Sequence, residues 1–190
     1  PAARIEHPTG RKADKMGGFF GATSKKDVVL DVFFGVDYHS HLGTKNAGMI
    51  IRDETGFQRE IHSIANTPFR TKFENDLPGF HGTSGIGCIS DTDPQPLLIR
   101  SHLGTFALTT VSAVNNTEEL IESCFDNGKR QFMAMSSGKV NDTELIGALI
   151  NQKEDLIEGI KYAQSVVDGS LTLLVMEQNG SIIAARDRMG

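Results

Sequence analysis

Two strand–turn–strand signals, one in the first third of the chain and one at its end, constrain its fold more than any other feature. Residues 47–52 and 57–64 flank Asp53-Glu54-Thr55-Gly56, and residues 170–177 and 181–186 flank Gln178-Asn179-Gly180. Apolar and β-branched runs joined by a short Asp/Asn/Gly turn encode antiparallel hairpins. Further strands are expected at 18–22, 85–90, 97–100 and 105–114. Between them the period changes to that of a helix. Residues 25–38 carry Val28, Val29, Val32, Phe33 and Val36 at helical spacing, with Thr23 or Ser24 as N-cap. Asn116 or Thr117 starts a helix to about Phe125, with Glu118 and Glu119 suited to the positive end of its dipole. Residues 142–151 and 155–167 read as two more helices, the second with Leu156, Ile157, Ile160, Ala163 and Val167 on one face and Gly169 as its stop. Long antiparallel strands with helices grouped between them predict an α+β fold, a four-layer αββα sandwich of two mainly antiparallel sheets.

At 190 residues the chain has the size of one domain. Residues 1–15 (PAARIEHPTGRKADK) are polar and lack a period, so they read as a flexible leader or in part a cloning remnant, with the domain spanning 16–190. Pro1 raises the idea of an N-terminal-proline tautomerase, which no pattern around it supports. No apolar run approaches the roughly 20 residues of a membrane span, and no secretory h-region precedes the domain. The net charge of −5, with scattered basic residues, argues against nucleic acid as a partner. Two cysteines make no disulfide framework, which points to a reducing, cytoplasmic setting. Gly82-Thr83-Ser84-Gly85-Ile86-Gly87 resembles a phosphate loop only in its glycine count, because it enters a strand rather than leaving one for a helix. Asn115-Asn116-Thr117 is a glycosylation triplet without meaning in a cytoplasmic chain.

The nucleophilic and metal-ligating residues lack supporting spacing. His39-x-His41 could open a metal site, but ligands would have to come from His62 or His81, which no spacing links to it. Exposed turn histidines and no metal are expected. Cys88 lies between Ile86 and Ile89 on a strand, with no nearby histidine in register, and reads as a buried structural thiol. Cys124 reads as the core side of an amphipathic helix.

An opening segment and five motifs after it, in order, carry a resemblance over 17–190. Met16-Gly17-Gly18-Phe19-Phe20-Gly21 opens the first strand; Tyr38-His39-Ser40-His41-Leu42-Gly43 leads into Asn46-Ala47-Gly48-Met49. Gln95-Pro96-Leu97-Leu98 with Arg100-Ser101, and then Phe106-Ala107-Leu108, follow. Asn141-Asp142-Thr143-Glu144 and Ala185-Arg186-Asp187-Arg188-Met189-Gly190 complete the series. Together they resemble the N-terminal class II glutamine amidotransferase domain of the amidophosphoribosyltransferases, which implies an Ntn-hydrolase-like fold. The resemblance also implies a downstream phosphoribosyltransferase domain beyond this chain, and no cofactor in this one.

Glutaminase chemistry in that family needs a nucleophile, a base, an oxyanion hole and a clamp for the glutamine α-groups. The resemblance places Gly17 at the position of the N-terminal cysteine, where glycine has no thiol and, with residues ahead of it, no free amine. Ser90 corresponds to the arginine that binds the substrate carboxylate, and serine cannot make a bidentate charge-assisted contact. Val111, with Ser112 beside it, corresponds to the oxyanion asparagine, and loss of one such donor costs about 10²–10³ in rate. Asp142 alone matches the residue that binds the α-amine, although an aspartate at a helix start is commonly a cap or first-turn residue. A degenerate, glutaminase-inactive domain is therefore expected, with Gly17, Ser90, Val111, Ser112 and Asp142 as a vestigial pocket and no catalytic residue. Two alternatives stand beside it. One is a small-molecule module that senses an amino acid or mediates dimerisation; the other is an active amidohydrolase working through Cys88 or a histidine-bound metal.

Overall fold

Strand β1 (Gly17–Thr23) enters the first sheet, and the computed structural model describes residues 17–126, 132, 135–136 and 138–187. The expected leader, Met16 of the opening motif and residues 188–190 of the closing one lie outside the described residues. In chain order there follow α1 (Val29–Tyr38), β2 (Asn46–Arg52), β3 (Phe57–Ser63), α2 (Phe69–Phe73) and β4 (Ser84–Ser90). Next come β5 (Leu97–Ser101), β6 (Gly104–Val114), α3 (Thr117–Asp126) and a two-stranded ribbon, β7 (Met135–Ser136) with β8 (Lys139–Val140). The chain closes with α4 (Asp142–Ile150), α5 (Leu156–Val166), β9 (Gly169–Glu177) and β10 (Ile182–Arg186).

One four-stranded sheet has the order β1-β4-β2-β3 and the other β10-β9-β6-β5, with every pairing antiparallel. Ile50 and Ile86 of the first sheet meet Ala107, Leu174 and Met176 of the second in the layer between them. Helix α1 covers the outer face of the first sheet through Val29, Val32, Phe33 and Val36, joined by Phe69 and Phe73 of α2. Helices α3, α4 and α5 cover the second through Leu120, Cys124, Leu145, Ile146, Leu149, Ile150 and Ile160. The layering is αββα, as the hairpins and grouped helices require. Burial of a large apolar side chain contributes about 1.5–3 kcal/mol, and each of these faces carries several. Strand β4 is buried along its whole length because it has α1 on one face and the second sheet on the other.

Both hairpin signals fold as expected. Asp53 Oδ1 accepts from the Thr55 and Gly56 N–H groups at 2.7 and 2.9 Å. The Thr55 hydroxyl bond holds the Asp53 carboxyl below its usual range.

Helix limits differ more. Helix α1 starts at Val29 rather than Lys25, and its N-cap Val28 makes no side-chain capping bond. Ser24 and Asp27 instead accept from the N–H groups of Lys26 and Val29, and such local bonds compete with helix initiation. Asn116 directs its amide across to Val166 O and Asp168 N, and Thr117 donates back to Val114 O, so both side chains link neighbouring segments. Ile157 is 47% exposed instead of joining the inner face of α5. Helix α5 ends at Val166, and Gly169, at φ 135°, opens β9 instead of stopping the helix. Helix α2 and the β7–β8 ribbon, too short to leave a periodic signal, were not expected from the pattern.

Candidate functional site

Strands β1, β4 and β6 and the start of α4 converge at one end of the sandwich. Gly17 pairs with Ser90, which pairs on its other side with Asn46. Val111 lies on β6 opposite Thr172, in the facing sheet. The resulting cleft is lined by Gly17, Ile89, Ser90, Thr92, Asp93, Gln95, Thr110, Val111, Ser112, Asp142 and Thr143. All five residues assigned to the pocket from the motifs are therefore neighbours, although 125 positions separate the first from the last (142 − 17). Free space at the centre is about 10 Å³, room for about one water.

The surroundings of this cleft are bonded densely. Gln95, 4% exposed, uses both ends of its amide. Its Nε2 donates to Thr110 O at 2.9 Å, and its Oε1 accepts from Thr110 N and Thr109 Oγ1, each at 2.8 Å, and from Thr143 Oγ1 at 3.2 Å. Thr110 and Thr143 hydroxyls lie 2.8 Å apart, tying β6 to α4. Asn141 caps α4, its Oδ1 accepting from Thr143 N at 2.8 Å and Glu144 N at 3.2 Å. Asp142 thus occupies the first turn, one place beyond the cap, and its own N–H donates to Asp93 Oδ2 at 3.2 Å. Both carboxylates sit at the positive end of the α4 dipole, where negative charge is favoured.

Two of the sequence motifs meet here for a steric reason. The Gln95-Pro96 segment, joined by a cis peptide, crosses β2 at Gly48. A Cβ on residue 48 would fall 2.1 Å from the Gln95 carbonyl oxygen, so only glycine fits beneath that crossing. Asp187 of the closing motif likewise has a structural contact, accepting from Leu171 N at the start of β9.

What the cleft can do chemically follows from its lining. Hydroxyls, carboxylates, one amide and main-chain groups face it; among the described residues the lining contains no thiol, imidazole or guanidinium. Cys88, one residue from Ile89, is fully buried and donates its Sγ–H to Gln95 O at 3.3 Å. Burial pushes its thiol up to about 12, partly offset by hydrogen bonds from Thr109 and Gly48, so the thiolate a nucleophile needs is suppressed at neutral pH. Cys124 is buried in the helical layer.

The histidines are dispersed. His39 Nδ1 lies 2.7 Å from Gly35 O and His41 Nδ1 2.9 Å from Tyr38 O, so each ring is turned to a carbonyl of its own helix end. His62 pairs with Asp76 at 2.6 Å and His81 with Asp53 at 3.3 Å. Among the described residues no three His, Cys, Asp or Glu side chains gather as metal ligands. No helix among them is long and apolar enough to cross a membrane.

Ile89, Thr92, Asp93, Gln95, Thr110 and Thr143 were not assigned to the pocket from the sequence. Gln95 and Thr143 stand inside motifs, and Gln95 also lies as a polar residue between Pro94 and Pro96 ahead of an apolar strand. The others carry no mark of their own.

No family model matches the chain. It is 25% identical, over 96% of its length, to an amidophosphoribosyltransferase of Synechocystis sp., of which it covers 38%. Among solved structures, it superposes on a glutamine phosphoribosylpyrophosphate amidotransferase from B. subtilis, complexed with ADP and GMP, at a TM-score of 0.74. That match has 24% identity and spans 90% of this chain and 37% of the other. A second, an allosteric regulatory enzyme of purine biosynthesis, matches at TM-score 0.76 and 24% identity, over 92% of this chain and 38% of the other. The chain thus spans well under half the length of these relatives.

Proposed function

From the homology to amidophosphoribosyltransferase and the shared fold of its N-terminal glutamine amidotransferase domain, we propose that this chain is a glutaminase-inactive amidotransferase domain retained as a structural unit. The observation that carries this reading is Gly17 at the cleft, among lining residues that supply no thiol, imidazole or guanidinium. Amide hydrolysis of this type needs a nucleophile and donors for the developing oxyanion, and the resemblance sets Val111, which has no side-chain donor, in the place of the oxyanion asparagine. The reading supplies the chain with a parent: an amidophosphoribosyltransferase-like protein in purine nucleotide biosynthesis. A phosphoribosyltransferase domain there would transfer an amine from free ammonia or a separate donor to phosphoribosyl pyrophosphate. Its partners would be that domain and a second copy of itself, in the cytoplasm, consistent with two buried cysteines that form no disulfide.

A relocated nucleophile at Cys88 is disfavoured by full burial and the raised thiol pKa. Sensing of an amino acid is disfavoured by a cleft with space for about one water.

Ammonia release from glutamine, measured by a coupled assay on the purified chain, tests the central claim. Background rates are expected from both the native chain and Cys88→Ala. Turnover well above background would sink the reading, and its loss in Cys88→Ala would assign the nucleophile.

A further inference from the structure

Position 17 is more than the site of a missing thiol. A Cβ there would lie 2.9 Å from the Ile89 carbonyl oxygen and 3.4 Å from Val111 Cγ2. The nearer atom is main chain, so it cannot rotate aside as a flexible side chain would. Strand β1 is registered on β4 from Gly17↔Ser90 to Thr23↔Ser84, and β4 is registered on β2 from Asn46↔Ser90 to Arg52↔Ser84. Moving the Ile89 carbonyl therefore displaces a strand held on both edges and buried on both faces.

We infer that position 17 accepts glycine alone, so that the cleft is closed by its own backbone and no single substitution can re-arm it. This deepens the reading proposed above and rests on it for the identity of the cleft. The Ile89 carbonyl takes the space that a residue-17 side chain would need, with the Val111 methyl at contact distance beside it. Next to them the free space is about 10 Å³, room for about one water.

The sign of a glycine-to-alanine change decides the matter. Where the backbone is compatible and space is free, that change stabilises through the unfolded chain; overpacking does the reverse. Gly17→Ala is expected to lower Tm by about 4–10 °C in thermal unfolding, from the usual overpacking penalty in a domain of this size. Gly79→Ala is the control, since a Cβ there meets nothing within 4 Å, and its Tm is expected to hold or rise. Failure of Gly17→Ala to fold while the control folds agrees with the inference. Gly17→Cys is expected to leave ammonia release at background. A Gly17→Ala Tm equal to or above that of the native chain overturns the inference, as does glutaminase activity gained by Gly17→Cys. Activity in the native chain would instead overturn the preceding proposal, so the two can fail separately.

Discussion

The shell around the cleft and the lining at its centre differ in what their residues do. In the shell, Gln95 joins β6 to α4 through four hydrogen bonds, Asn141 caps α4 and Gly48 lets the Gln95-Pro96 crossing approach β2. At the centre, Gly17, Ser90 and Val111 bring no thiol, guanidinium or side-chain amide, while Asp142 keeps its carboxylate. A fold can lose its chemistry without loss of stability when the reactive side chains are not the ones that satisfy buried polar groups or fill close approaches.

Stability measurements can break this contrast or sharpen it. The largest effect is expected at Gly48, where a Cβ would press on a carbonyl oxygen at 2.1 Å. Gly48→Ala should cost more than about 3 kcal/mol in denaturant unfolding, at or beyond the usual range for overpacking; a loss under 1 kcal/mol would mean that the crossing yields easily. Gln95→Ala comes next. It strands the Thr110 N–H and C=O and unties two hydroxyls, and unmade buried bonds cost about 1–3 kcal/mol apiece before relaxation, so a loss of about 2–5 kcal/mol is expected. Val111→Asn, in the polar and partly open lining, should change stability by less than about 1 kcal/mol. Equal losses at Gln95 and Val111 would erase the distinction between shell and centre.

The smallest effect concerns Cys88 and is absent near neutrality. Its folded thiol is raised from 9.0 to about 12, so the unfolded chain loses this proton first as pH rises. Fewer protons on the unfolded state make stability fall with pH. The contribution is intact below pH 9 and is lost progressively up to about pH 12. Stability of the native chain should therefore drop more steeply than that of Cys88→Ala across this window, read from paired urea titrations. Parallel curves would show that the thiol does not feel its burial.

Much of the fold was legible because its signals are local. Asp53 to Gly56 and Gln178 to Gly180 hold turn chemistry within a few residues, and Val29, Val32, Phe33 and Val36 reveal a buried helix face by spacing alone. Helix starts were less legible, since Ser24 and Asp27 have the side chains of a cap but close separate turns. The five pocket positions were reached by motif, whereas the role of Gln95, Thr110 and Thr143 beside them was not, because a buried hydrogen-bond network joins residues up to 48 positions apart and leaves no periodicity.

The sequence by itself determined which groups stand at three pocket positions: glycine at 17, serine at 90 and valine at 111 carry no thiol, guanidinium or amide whatever surrounds them. It also determined the eight strands of the two sheets, the hairpin turns and the longer covering helices, whose signals lie in neighbouring residues. Only the tertiary structure decided that the Ile89 carbonyl stands where a side chain at 17 would go, and that Gln95 ties β6 to α4 at the cleft. Those facts depend on strand register and on the direction of individual Cα–Cβ bonds across two sheets, which residue spacing along one chain does not encode.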